Sequence, residues 1–298
     1  MDLQEVFGAS RLESEDRKRH TSFKSLKQRV REMPATLGFA RRIAALPFSI
    51  IAEIKTKSPS MGSMSLFADF TANRAHFIYQ GHSVVSAISV LTQATHFGGS
   101  EARLRTVRRQ TRKPILRKDF IQDEYEVYFS RAIGADAILL MANVVTDKKK
   151  FSDLHALALD LGLDVLCEVH SEDELEIIPT EAKMIGINSR NFRDKKGFLF
   201  SKVTRHTGGD ASTDLSAFSL YEKLPTNVLK IAESGMTSHN LDGVLQKYPF
   251  DAALIGSALL RGDTQAELDR LNRAIVTALP LIESARSAQR SDSVFATS

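Results

Sequence analysis

Six polar residues stand at or near the ends of short apolar runs, and their types suit proton transfer. Glu53 and Lys55 close the run Ser49–Lys55, Lys118 closes Pro114–Lys118, and Glu168 lies one residue from the end of Asp164–Val169. Asn188 and Glu233 end Met184–Asn188 and Val228–Glu233. Side chains of an extended strand alternate between two faces, so Glu53 and Lys55 share a face, Lys118 follows Leu116, and Glu168 follows Leu166. Ammonium and carboxylate groups gathered over apolar side chains are costly to bury unless they are paired or put to use. One Lys–Glu pair would read as a buried ion pair. Two lysines and three glutamates, all at the C-terminal ends of such runs, instead suggest an acid–base site that also binds an anion.

A second group suits phosphate. The seventh run leads into Glu233-Ser234-Gly235 and the eighth into Ile255-Gly256-Ser257. Glycines at these turns would let backbone N–H groups approach an anion, and a following helix N-terminus would add its dipole. Cys167, the single cysteine, has the opposite parity to Glu168 and reads as a core residue. With one cysteine there is no disulfide framework and no CxxC pair, and His20, His76, His155 and His239 fit no ligand spacing. No metal site is expected.

These residues need elements to hold them. Eight runs rich in Ile, Val, Leu and Ala recur: Ser49–Lys55, Val84–Leu91, Pro114–Lys118, Ala137–Met141, Asp164–Val169, Met184–Asn188, Val228–Glu233 and Ala252–Ile255. Amphipathic segments such as Glu124–Ile133 and Lys149–Leu161 lie between them. Apolar strands alternating with helical patterns require a parallel sheet covered by helices. The strand ends recur every 20 to 34 residues, apart from one interval of 45. The pattern predicts an α/β fold, a (β/α)8 TIM barrel, whose functional groups belong at the strand C-termini. A doubly wound sheet is disfavoured because the first unit has no GxGxxG turn. Residues 1–47 read as an N-terminal helical extension, 48–280 as the barrel and 281–298 as a frayed tail of one single domain. The long interval, with Gly197, Gly208 and Gly209, reads as an extended loop on the catalytic face, and a lid is one use for it.

The 298 residues are 43% hydrophobic and 26% charged, with a net charge of +4. Such a chain buries a core without disulfides or metals. No eighteen-residue apolar window and no apolar leader occur, so a cytoplasmic protein without membrane partner is expected. Six Lys/Arg in Arg103–Lys113 read as the solvated outer face of a helix. No nucleic-acid-binding signature accompanies them. No obligate protein partner is evident either.

The motifs together resemble the indole-3-glycerol-phosphate synthase family over roughly residues 35–262. They are Ile51-Ala52-Glu53-Ile54-Lys55 with Ser58-Pro59-Ser60, Leu91-Thr92 with Phe97-Gly98-Gly99-Ser100, Leu116-Arg117-Lys118-Asp119-Phe120, and Cys167-Glu168-Val169. Ile185-Gly186-Ile187-Asn188-Ser189-Arg190, Ala232-Glu233-Ser234-Gly235 and Leu254-Ile255-Gly256-Ser257 complete the set. The resemblance implies a carboxy-lyase of tryptophan biosynthesis. Its small-molecule phosphosugar-anthranilate substrate would be 1-(2-carboxyphenylamino)-1-deoxyribulose 5-phosphate, closed to an indole with loss of CO2 and water. It implies Lys118 as general acid and Glu168 as general base. Lys55 would bind substrate anions, with Glu53 and Glu233 holding lysines and substrate hydroxyls, and Asn188 and Ser234 complete the catalytic set. It further implies Ser58 and Arg190 as substrate-binding groups, Gly235, Gly256 and Ser257 as the phosphate cradle, and Phe97 and Phe120 against the aromatic ring.

Gln93 stands where relatives usually carry an acid, Met61 where they carry lysine, and the segment after Arg190 holds roughly fifteen extra residues. The competing expectations are another phosphosugar barrel, such as a phosphoribosylanthranilate-isomerase-like enzyme, and a barrel that binds without catalysis.

Overall fold

The structure is a computed structural model that describes residues 3–58, 62–63, 68–190 and 213–295. Eight strands form one closed, all-parallel barrel: β1 (Ser49–Ile54), β2 (Val85–Leu91), β3 (Ile115–Lys118), β4 (Ala137–Met141), β5 (Asp164–Val169), β6 (Met184–Asn188), β7 (Leu229–Glu233) and β8 (Ala252–Ile255). Closure runs through β1, which pairs with β2 in the register Ile51↔Ala87 and with β8 in the register Ile51↔Leu254. All eight expected runs are strands, within a residue or so at their ends. A short hairpin, Lys57–Ser58 against Gly62–Ser63, was not foreseen.

The strands are apolar because both faces are covered. Outside, Ile50, Ile54, Ile138, Leu140, Val165 and Cys167 pack under the helices, as parity required of the cysteine. Inside, Ile51, Leu116, Leu166, Met184 and Ile231 fill the barrel. The next inward positions above that layer are Glu53, Lys118, Glu168, Gly186 and Glu233, so the interior turns polar at the C-terminal end.

The extension is helical and reaches both ends of the barrel. Helices α1 (Leu3–His20), α2 (Phe23–Arg31) and α3 (Phe39–Ala44) precede β1. Phe39 and Ile43 of α3 join the interior cluster from below. Asp136 accepts from the Leu37 N–H at 2.7 Å, and Asp164 from the Ala40 N–H at 2.9 Å, so two strand-initial acids hold this plug. The barrel's own helices follow as α4 (Ala68–Gly81), α5 (Ala94–Phe97), α6 (Glu101–Gln110), α7 (Glu124–Ile133) and α8 (Lys148–Asp160). Then come α9 (Leu241–Lys247), α10 (Ser257–Leu260) and α11 (Thr264–Phe295), so the chain is helical across the expected tail boundary at 281. Local signals set the ends: Asp123 caps α7 by accepting from the Glu126 N–H, and Gly134 stops it at a φ of 99°.

Two expectations need correction. After β5 and β6 the coverings are the 3-10 segments Asp173–Ile177 and Leu215–Lys223, not full helices. The second occupies the last part of the interval read as loop, with Phe218 and Tyr221 buried against Phe250. The remainder of that interval, 191–212, including the glycines at 197, 208 and 209, lies outside the described residues, as does Met61. The basic run on α6 is also less solvated than expected. Arg108 reaches Asp136 at 2.6 Å and the carbonyls of Thr111 and Lys113, and Arg103 donates to the Gly98 carbonyl.

Candidate active site

The polar layer opens into a cavity of about 270 Å3 at the C-terminal mouth of the barrel. Of the fourteen residues singled out from sequence, twelve line it: Glu53, Lys55, Phe97, Lys118, Phe120, Glu168, Asn188, Arg190, Ser234, Gly235, Gly256 and Ser257. Glu233 lies just behind, in contact with Lys118. Ser58 ends the first strand of the hairpin, and its side chain lies outside the described residues.

Lys118 is the hub. Its Nζ is 2.9 Å from Glu233 Oε2 and 3.3 Å from Glu168 Oε2. Burial opposes the ammonium charge, but Glu233, Glu168 and Glu53 outweigh it and raise the Lys118 pKa well above its ordinary value. Glu168 is fully buried, which favours its neutral form. Lys118 and His170 nevertheless hold its pKa down to about 2, helped by the Asn188 amide donating to Oε1 at 3.0 Å. Glu233 goes the other way: burial, with the Glu168 charge adding to it against Lys118, pushes it up to about 8. Its Oε1 accepts no hydrogen bond among the described residues, the setting in which a carboxyl keeps its proton. Gly186 gives that oxygen its room, since a Cβ there would strike it.

Glu53 and Lys55 form a second pair, 2.5 Å apart. Burial would raise the Glu53 pKa, but Lys55 and Lys118 bring it below the usual carboxylate range. Burial lowers that of Lys55, with Arg190 and Lys118 adding to the effect against Glu53. Arg190 is held in place through its backbone N–H, which donates to Asn188 Oδ1 at 3.0 Å.

The cavity wall also carries Ser234, Gly235, Gly256 and Ser257, joined by Met236, Thr237, His239 and Arg261. Ser234 and Gly235 have φ of 66° and 71°, a turn that requires glycine at the second position. At Gly256 the structure adds a steric constraint. The residue's φ is −123°, and a Cβ there would run into the Glu53 carboxylate. The helix dipole expected after β7 is also displaced, because α9 begins only at Leu241.

Sequence reasoning missed three features. Phe7 of α1 packs on Phe120 with centroids 5.4 Å apart, and Phe120 lies 6.0 Å from Phe97, so the extension helps build the aromatic wall. His170 places Nε2 3.3 Å from Glu168 Oε1. Its spacing of two from Glu168 was the available signal. Arg261 adds a cation near the glycine turns, at i+4 from Ser257 on the short α10. What the arrangement offers is one ammonium between two unlike carboxylates, a second ammonium and a guanidinium nearby, an aromatic wall, and a glycine turn.

The sequence profile of indole-3-glycerol phosphate synthase matches residues 3–271. An indole-3-glycerol phosphate synthase of Lachnospira eligens is 39% identical over 74% of this chain and 77% of its own. That of Bacteroides thetaiotaomicron is 34% identical over 87% of this chain and 92% of its own. Among solved structures, 3-hexulose-6-phosphate synthase from Salmonella typhimurium superposes with a TM-score of 0.54 at 13% identity, covering 77% of this chain and 99% of its own. N-(5'-phosphoribosyl)anthranilate isomerase from Pyrococcus furiosus gives 0.51 at 14%, with the same coverage of both chains. These two likenesses are of fold alone.

Proposed function

The chain belongs to the indole-3-glycerol phosphate synthase family, and from that premise we propose that the cavity closes 1-(2-carboxyphenylamino)-1-deoxyribulose 5-phosphate to indole-3-glycerol phosphate as a carbon–carbon lyase. The observation that carries this reading is Lys118 held between Glu168 and Glu233 at the floor of a cavity with a glycine turn in its wall.

The ring carbon bearing the carboxylate attacks the ketone carbon, and the developing alkoxide needs a proton. The Lys118 ammonium, kept charged by the ionised Glu168 and Glu53, supplies it. Loss of CO2 then restores the ring, and the hydroxyl departs as water while a base removes a proton from the carbon beside nitrogen. Glu168, ionised at neutral pH, takes that proton. Lys55 and Arg190 neutralise the substrate carboxylate and hold it near the reacting centre. Glu53 keeps Lys55 in place, and Asn188 orients Glu168. Phe97 and Phe120 flank the aromatic ring, while Ser234, Gly235, Gly256, Ser257 and Arg261 receive the phosphate. Ser58 belongs to the substrate-binding set by its motif.

No step calls for a metal or organic cofactor. We read the chain as one domain, its helical extension, barrel and C-terminal helix serving a single site, and as a cytoplasmic enzyme. No helix of the described residues is long and apolar enough to cross a membrane. Incubation with the carboxyphenylamino substrate should give indole fluorescence, and phosphoribosylanthranilate should give no isomerised product. The reverse result would move the chain to the isomerase reading, and binding without product would make it non-catalytic.

A further inference from the structure

We infer that His170 and Glu174 form a proton path from solvent to the acid–base pair, entering at the barrel rim beside Glu168. The inference rests on the proposed roles of Lys118 and Glu168, and it follows from the proton balance of the reaction. The substrate carboxylate leaves as neutral CO2, so each turnover consumes one proton. Two protons go to a single oxygen, the first as the carbon–carbon bond forms and the second as that oxygen leaves as water. One proton comes back, from the carbon beside nitrogen to Glu168. The other must be drawn from solvent in every cycle. Lys118 faces the cavity, and a bound substrate covers the side from which water reaches it.

A second way in lies at the rim, just past the end of the strand that carries Glu168. His170 does not line the cavity. Its Nε2 is 3.3 Å from Glu168 Oε1, an ion-pair contact rather than an aligned hydrogen bond, so a small turn of the ring is needed for transfer, and its Nδ1 is 3.4 Å from Glu174 Oε2. The His170 backbone N–H donates to the same Glu174 oxygen at 2.7 Å, which fixes the carboxylate beside the ring. Glu168 Oε2, 3.3 Å from Lys118 Nζ, completes the line. Side-chain exposure rises along it, from 0% at Glu168 through 14% at His170 to 18% at Glu174. The line therefore leads outward. An imidazole can accept a proton on one nitrogen and release one from the other, which a fixed hydrogen-bond donor cannot do.

The surroundings favour the charged ring. Glu168 and Glu233 face it from the barrel strands and Glu174 from the 3-10 segment. Against them stand the Asn143 amide nitrogen, itself a donor, 3.4 Å from Nδ1 in the loop after β4, and the Lys118 ammonium beyond Glu168. Burial opposes protonation of His170, but Glu174 and Glu168 outweigh it and raise its pKa. His170 is thus a positioning residue that acts through Glu168, without contact to substrate.

His170→Gln tests the path, because it keeps an N–H donor toward Glu168 and removes the group that passes a proton. The expected result is a kcat lower by about tenfold, smaller than the loss of a direct acid or base, with KM within about twofold. Added imidazole buffer should raise the variant's rate toward that of the wild type and leave the wild type unchanged. Glu174→Gln, partly exposed and so tolerant of change, should show the same buffer dependence more weakly. Unchanged kcat, or a lowered kcat that ignores buffer acid between about pH 6 and 8, would overturn the path. The wild type assayed alongside separates the two ideas: if it makes no indole the functional reading falls, and if it does, only the relay is at stake.

Discussion

Arg117 and Lys118 are neighbours on β3, both cationic and both in buried clusters of acids, yet the clusters do opposite things. Arg117 points out of the barrel and is fully buried. Nε donates to Thr92 Oγ1, Nη1 to Ser130 Oγ and the Glu126 carbonyl, and Nη2 to Asp119 and Glu126 at 2.8 and 2.7 Å. All five of its donors are used. Ser10, Ser14 and Arg17 of α1 dock onto the same acids, so the cluster fastens the extension to the barrel. Lys118, one residue on, points in. Its two carboxylates lie on one side and the cavity on the other. The outer cluster is closed and holds the fold together; the inner one is open, and its uneven carboxyls can exchange a proton with something bound. Strand parity alone separates the two roles.

The largest effect should come from the inner cluster. Lys118→Met and Glu168→Gln should each lower kcat by about 10²–10⁴, while near-UV circular dichroism stays native. Arg117→Met should do the reverse, costing about 3–5 kcal/mol by stranding Asp119 and Glu126, read as a lowered urea midpoint. Near wild-type turnover by Lys118→Met, or loss of turnover by an Arg117→Met that is still folded, would erase the distinction. Ser257→Asp should weaken substrate binding by about 10–100-fold, because it sets a negative charge at the phosphate site. Inorganic phosphate should inhibit the wild type competitively and the variant much less.

A smaller effect belongs to the latch of α1. Glu13 accepts from the Ala94 and Thr95 N–H groups, from Thr95 Oγ1 and from Gln93 Nε2, the last at 3.0 Å. Gln93→Glu replaces that donor with a like charge, at a cost of about 1–2 kcal/mol. Added salt should recover part of it, and stability unmoved by the exchange would remove Gln93 from the latch.

The pH dependence of stability should also set the clusters apart, because they oppose each other. Burial would raise the Asp119 pKa, but Arg117 holds it below the usual value, so its contribution is present above the ordinary carboxylate range and fades as pH falls. Glu233, pushed up to about 8, contributes stability below that ordinary range and loses it as pH rises towards 8. Denaturant midpoints of the wild type should therefore fall relative to those of Glu233→Gln between about pH 4.5 and 8, and parallel curves would contradict the assignment.

The barrel was legible because its strands are short, apolar and regularly spaced, and period-two parity placed Glu53, Lys118 and Glu168 inside without coordinates. Sequence could not show which acid Lys118 would face, since Glu168 and Glu233 come from strands that meet only on closure. Nor could it give the reason for Gly186 and Gly256. Both glycines make room for a carboxylate on the neighbouring strand, a contact between strands rather than along the chain. Phe7 was out of reach for the same reason, because nothing local says that α1 returns to the rim.

The most direct test of the account sets Lys118→Met beside Arg117→Met, assaying indole formation and thermal unfolding on the same preparations. Lys118→Met should stay folded at the assay temperature and make almost no indole, whereas Arg117→Met should melt far below the wild type and still make indole below its transition. If Lys118→Met instead turned over at the wild-type rate, the inner cluster would not be the site of the chemistry.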